Sequence, residues 1–239
     1  MESANPQETK LMTKIDEIDA VVQSKGLPSY EDSATFYNSM TGDAFDEYAK
    51  AKGWTQPETI TQLVGPGKVV DLDPTTTEIL DIGAGTGQVG IYLSKKGFSG
   101  IIGLDAAPNL LEKAKGVKAY KELREMYIGM GSDKFPDDLK NRFDMVTAAG
   151  VWIEGHIPAS GLDDAFAALK VGGYLVSATR SYIWVKGEKG GYKDLIDKYI
   201  EDGIMELVHT ENWTQGVKGL HEGPWAEVVS IAFVMRRIK

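Results

Sequence analysis

Asp81-Ile82-Gly83-Ala84-Gly85-Thr86-Gly87 follows the apolar run Glu78-Ile79-Leu80 and precedes a helical pattern, Gln88 to Lys96. The reading is strand, glycine turn, helix. Glycine has no Cβ, so such a turn brings backbone N–H groups and a helix N-terminus close to a ligand. A lone G-x-G is weak, and two acids sharpen it. Asp81 ends the strand just before the first glycine, and Asp105 closes the next expected strand, Gly100–Asp105. A dinucleotide-binding turn, G-x-G-x-x-G, competes for the same residues. It fits less well: its third glycine falls on Gln88, and it leaves Asp81 without a role.

Outward from this turn, strand and helix patterns alternate, which argues for a parallel sheet covered on both faces. Glu78–Ile82 and Gly100–Asp105 are expected as the first two strands, and Pro108 opens a helix at a favourable first-turn position. Glu125–Met130 is expected as a weaker third strand and Phe143–Ala149 as the fourth. Leu162–Leu169 reads as a helix, Lys170-Val171-Gly172-Gly173 as a turn and Tyr174–Thr179 as the fifth strand. A helix over Tyr192–Asp202 and an antiparallel pair, Ile204–Thr210 with Glu227–Arg236, close the chain. Upstream, Leu11, Ile15, Ile18 and Val22 recur at helical spacing, so 9–24 is expected as an amphipathic helix stopped by Gly26 and Pro28. The fold class is therefore α/β: a single Rossmann-like, doubly wound seven-stranded sheet, mostly parallel with an antiparallel last strand, plus an N-terminal helical lid. The expected division is 1–74 as helical lid extension and 75–239 as core, one structural domain overall.

The chain of 239 residues is long enough for one larger domain that buries roughly 70–75% of its unfolded surface. It has 42% hydrophobic and 26% charged residues, ordinary globular values. No apolar run approaches the ~20 residues of a membrane span. The first residues show neither a basic nor an apolar leader region. There is no cysteine, which excludes disulfides, thiolate nucleophiles and zinc–thiolate sites and fits a reducing, cytoplasmic setting. The net charge of −9 argues against a nucleic-acid partner. The most basic segment, Lys113 to Arg124, is interleaved with acids and reads as a solvated helix face. The partner expected is a small-molecule substrate.

The acid, the glycines and the second acid resemble motif I of the class I S-adenosylmethionine-dependent methyltransferases, D/E-x-G-x-G-x-G. The turn Leu169-Lys170-Val171-Gly172-Gly173 is similar to that family's L-K-P-G-G, with Val171 at the usual proline. The runs Ile79–Gly83, Gly103–Pro108, Phe143–Val146 and Ala178-Thr179-Arg180 further resemble the methyltransferase-like family of the Williams–Beuren chromosomal region. That family opens with Y-D-x-W-A; here Tyr37 is kept, with Asn38 for the acid and Met40 for the tryptophan. The resemblance implies S-adenosylmethionine as cofactor and S-adenosylhomocysteine as product. It implies that Asp81 and the backbone of Gly83, Ala84, Gly85 and Gly87 hold the methionine end, with Tyr37 near it. Asp105, followed by Ala106, would accept the ribose hydroxyls.

Ligands of open α/β sheets bind beyond the carboxyl ends of the strands, so the strand-end loops supply the remaining candidates. Met130, Gly131 and Ser132 are expected near the adenine amine. Ala149 opens a loop that carries Trp152, Glu154 and His156: an aromatic wall, an acid and an imidazole. His156 is the best general-base candidate, because its ordinary pKa is near neutrality; a plain hydrogen-bonded histidine is the bland reading. His209 is expected to be structural, and His221 lies in the glycine-rich loop before the last strand. Arg180, Tyr182 and Trp184 end strand five and would clamp a planar anionic substrate or cap the sheet. Asp163-Asp164 is a poor metal site, and no metal is expected.

Ala149-Gly150-Val151-Trp152 lacks the D/N/S-P-P-Y/F of amino-directed base methylation, and carbon methylation of cytosine needs a cysteine. Methyl transfer to oxygen or nitrogen of a small molecule survives. A cofactor-binding regulatory module without turnover and a nicotinamide-dependent dehydrogenase are the alternatives. Six aromatics between Tyr30 and Trp54, with Gly42 as hinge, are expected to form a lid.

Overall fold

The computed structural model describes residues 29–215 and 228–239. The helix expected over 9–24 and the loop with His221 lie outside them. Three helices precede the sheet: α1 (Tyr30–Asn38), α2 (Gly42–Ala51) and α3 (Gln56–Gln62). Ser29 caps α1 by accepting from Asp32 N at 3.1 Å, and Thr41 caps α2 by accepting from Ala44 N at 3.2 Å. These caps satisfy N–H groups that have no partner inside a helix.

The core then alternates: β1 (Glu78–Ile82), α4 (Gln88–Ser94), β2 (Gly100–Asp105), α5 (Pro108–Gly116), β3 (Glu122–Glu125), β4 (Phe143–Ala149), α6 (Gly161–Ala168), β5 (Leu169–Arg180), α7 (Tyr192–Glu201), β6 (Met205–Gln215) and β7 (Val228–Arg237). The seven strands form one sheet in the order β3-β2-β1-β4-β5-β7-β6. β1 pairs in parallel with β2 and β4, β4 with β5, and β7 runs antiparallel to both neighbours. The expected fold class holds, and its physical cause is visible in β1. Ile79 packs in one core with Val89, Leu93 and Ile60, whereas Leu80 and Ile82 pack in the other with Leu162, Phe166 and Ile196. Alternate residues of a strand point to opposite faces, so a strand with apolar residues on both faces needs helices on both.

Two strand assignments differ from expectation. The third strand is Glu122–Glu125 rather than 125–130. It is a sheet edge and largely exposed, so three of its four residues are charged, with Arg124 bonded to Glu122 and Asp138. The apolar residues that follow it, Met126 and Ile128, turn instead into the core. Lys170–Gly173 is not a free turn but part of β5, which has a register irregularity against Phe143/Met145 of β4. Among the described residues no helix is long and apolar enough to cross a membrane.

Trp152 is fully buried. Its indole N–H donates to Ser177 Oγ at 2.8 Å, and Ser177 donates onward to Ala148 O at 2.6 Å. The aromatic wall expected at this position is therefore core, because the loop after β4 folds back under the sheet end. Trp152→Ala should cost about 3–5 kcal/mol in denaturant unfolding. Trp152→Phe, which removes chiefly the hydrogen bond, should cost about 1–2 kcal/mol.

Candidate active site

The glycine turn is shaped by its own amides. Gly83 N and Ala84 N both donate to Leu104 O, at 2.8 and 2.9 Å, and Gly87 N donates to Ala84 O at 2.8 Å. Gly83 and Gly85 have φ of 69° and 52°, a region that L side chains rarely enter. A Cβ on Gly83 would also collide with Val151 of the loop after β4. Asp105 fastens the turn from the next strand: its Oδ2 accepts from Gly85 N and its Oδ1 from Ala107 N, each at 2.8 Å. Burial raises the Asp105 pKa against these amide bonds.

Above the strand ends lies a cavity of about 220 Å³. Gly83, Ala84, Gly85, Asp105, Ala106, Ala149, His156 and Arg180 line it, so those expected site residues converge. The lid supplies the opposite wall: Tyr37, Phe45 and Trp54 pack edge to face in a row, ring centroids 6.0 and 5.9 Å apart. Tyr30 and Tyr48 line the cavity as well. Hydrogen bonds and an ion pair fasten the lid to the core. Asp46 accepts from Thr86 Oγ1 at 2.6 Å and from Gln88 Nε2 at 3.1 Å. Asn109 N donates to Asn38 Oδ1 at 3.1 Å, and Lys113 pairs with Asp43.

Other expected site residues lie elsewhere. Asp81 is buried below the turn, outside the cavity wall, and accepts from Tyr120 Oη at 2.7 Å and Thr147 Oγ1 at 2.8 Å. Gly87 is also outside the wall and faces Val117 and Tyr120. Met130, Gly131 and Ser132 are displaced because β3 ends early; Met126 and Ile128 take their place on the cavity. Glu154 is exposed and paired with Lys189, and Tyr182 is 45% exposed in a short 3-10 segment after β5. Neither lines the cavity. His209 pairs at 3.5 Å with Glu211 on the edge strand. Gln56, Thr86, Val151, Ile153 and Thr179 line the cavity without having been singled out. Thr86 had a signal, as it sits inside the glycine motif.

His156 and Tyr37 form the polar end. Tyr37 Oη lies 2.8 Å from His156 Nε2, and His156 Nδ1 lies 3.5 Å from Glu154 O. Burial beneath the lid, with Arg180 adding repulsion, lowers the imidazole to about 4. It is therefore neutral at pH 7 and accepts from Tyr37, whose phenol burial pushes up to about 12.

Residues 75–211 match the family model described as a methyltransferase domain. The chain belongs to this methyltransferase family. The chain is 26% identical to human methyltransferase-like protein 27 over 76% of its own length and 71% of that protein's. It is 35% identical to the 2-heptyl-1-hydroxyquinolin-4(1H)-one methyltransferase of Mycobacteroides abscessus over 37% of each chain. Among solved structures the 4+2 cyclase SpnF superimposes with a TM-score of 0.60, covering 89% of this chain and 97% of that one at 15% identity. The family and its fold make this protein an S-adenosylmethionine-dependent methyltransferase. The cavity suits that cofactor: a glycine cradle, an acid at the β2 end and aromatic walls that exclude water.

The unfolded chain holds His156 near pKa 6.5, so between about 4 and 6.5 it binds a proton that the folded chain refuses. Stability then falls as pH drops through that window. Burial raises Asp81 to about 7 despite its two hydrogen bonds, so stability falls as pH rises from about 4 to 7. In denaturant unfolding against pH, His156→Gln should reduce the fall toward low pH between about 6.5 and 4, and Asp81→Asn the fall as pH rises from about 4 to 7. The lid should tighten on ligand: amide exchange across 30–48 should slow when S-adenosylhomocysteine is added. Equal exchange rates in both states would make the segment plain packing.

Proposed function

We propose that the protein transfers the methyl group of S-adenosylmethionine to an oxygen or nitrogen of a small molecule. The observation that supports this is the roofed, aromatic cavity with a neutral Tyr37–His156 pair at its polar end. A chamber closed by α1 and α2 suits an acceptor that enters whole, and the charge of −9 offers little to a polyanion. A relative that methylates a hydroxyquinolinone provides a precedent for a planar acceptor. The lack of cysteine suits a cytoplasmic enzyme.

In this reading the glycine turn, Asp105, Ala106 and Ala149 hold the cofactor, with Asp105 on the ribose hydroxyls through its remaining lone pairs. Asp81 supports the turn from beneath rather than touching the ligand. Met126 and Ile128 flank the adenine. When bound, the cofactor supplies a methyl group activated by its sulfonium. Tyr37, Phe45 and Trp54 exclude water and orient the acceptor, and Arg180 holds its anionic or polar edge. An oxygen acceptor that gains the methyl becomes a strongly acidic oxonium. Its proton passes to Tyr37 Oη while the Tyr37 proton moves to His156 Nε2. A base of low pKa is sufficient for so acidic a donor.

A screen of metabolites with labelled cofactor tests the assignment. Transfer to at least one small molecule is expected, and His156→Gln should lower kcat about 100-fold while S-adenosylhomocysteine affinity in calorimetry stays the same. Labelling of RNA or protein with none of any metabolite would overturn the small-molecule reading.

A further inference from the structure

Gln56 opens α3, next to Pro57. It is 2% exposed, yet it lines the cavity. Its Nε2 donates to Ser230 Oγ at 3.2 Å, and its Oε1 has no hydrogen-bond partner among the described residues. A buried amide oxygen without a donor is costly, and such groups in native structures call for an explanation. This oxygen sits where β4 ends: a Cβ on Gly150 would lie 3.0 Å from it. The Gly150 amide cannot satisfy it, because Gly150 N already donates to Ala178 O at 2.8 Å.

The sheet order gives the position a chemical meaning. Asp105 ends β2, the glycine turn ends β1, and Gly150 follows β4, and these strands are consecutive neighbours. Adjacent strands are about 4.8 Å apart, so Asp105 and Gly150 sit two strand spacings apart across the mouth of the sheet. A ligand whose ribose lies on Asp105 and whose adenine lies toward Met126 and Ile128 must point its amino-acid end at Gly150 and Gln56. The donor at that end is an ammonium group, and it is a cation that suits an acceptor oxygen. We propose that Gln56 Oε1 accepts a hydrogen bond from the ammonium group of the bound cofactor's methionine moiety, making Gln56 a cofactor-binding residue held in place by Ser230. The inference rests on the cofactor placement given above.

Calorimetry with three ligands tests it: S-adenosylhomocysteine, its decarboxylated analogue, which keeps the amine, and methylthioadenosine, which lacks both amine and carboxylate. Gln56→Met keeps the shape and loses the amide; Gln56→Glu keeps an acceptor. Gln56→Met should weaken the first two ligands about tenfold and leave methylthioadenosine unchanged, and Gln56→Glu should restore most of the loss. Equal weakening of all three ligands would mean a structural role, and an unchanged affinity for S-adenosylhomocysteine would remove Gln56 from the site. A loss confined to S-adenosylhomocysteine would put the amide on the carboxylate and overturn the ammonium assignment. If the wild type binds none of the three, the cofactor placement itself fails, and this inference with it.

Discussion

Two amides on one carbonyl set the geometry of this molecule. Gly83 N and Ala84 N both reach Leu104 O, so the end of β1 is bent over the end of β2 before α4 begins. The bend needs positive φ at Gly83 and Gly85, and the approach of Val151 leaves no room for a side chain at Gly83. Everything at the mouth of the sheet is placed relative to that bend. Asp105 clamps it through Gly85 N, the loop after β4 packs against it, and Asp46 of the lid is bonded to its Thr86 and to Gln88.

Buried polar groups carry this arrangement at some expense. Asp81 has no exposure and two hydroxyl donors, one from β4 and one from Tyr120, whose hydroxyl also accepts from Gly90 N at 3.2 Å. That network links β1, β4 and α4 directly beneath the turn. It explains an acid at a position where alkyl groups would pack more cheaply: a half-satisfied network in a core is worse than none, whereas this one engages both carboxylate oxygens. Asp105 is satisfied by amides in the same way. Gln56 Oε1, by contrast, has no partner among the described residues, and Gln56 lines the cavity.

Much of the fold was legible because the central strands are bounded by glycine and buried on both faces. β1, β2 and β4 are predominantly apolar and buried on both faces, as a covered parallel sheet requires. β3 was misplaced because an edge strand has no such signature: Glu122-Leu123-Arg124-Glu125 is polar, and the apolar residues after it belong to the core. The cofactor half of the site was legible where backbone geometry demands a residue type, as at Gly83, Gly85 and Asp105. It was illegible where a side chain's direction decides. Nothing in Trp152 or Glu154 says that one turns inward to Ser177 and the other outward to Lys189. Gln56 was invisible because its role depends on α3 meeting the end of β4, a contact between segments far apart in sequence.

The lid and the turn share hydrogen bonds, and this gives the enzyme a physical route from cofactor binding to water exclusion. Asp46 holds Thr86 and Gln88, which flank the last glycine of the motif. A ligand seated against the turn would contact the same segment that the lid grips, so ordering that segment would serve both events. Tyr37 of the same lid reaches His156 and completes the polar end of the chamber. The aromatic row from Tyr37 to Trp54 crosses from α1 to the segment just before α3. It therefore couples the roof to the helix that carries Gln56. Lid, turn and Gln56 line one and the same cavity.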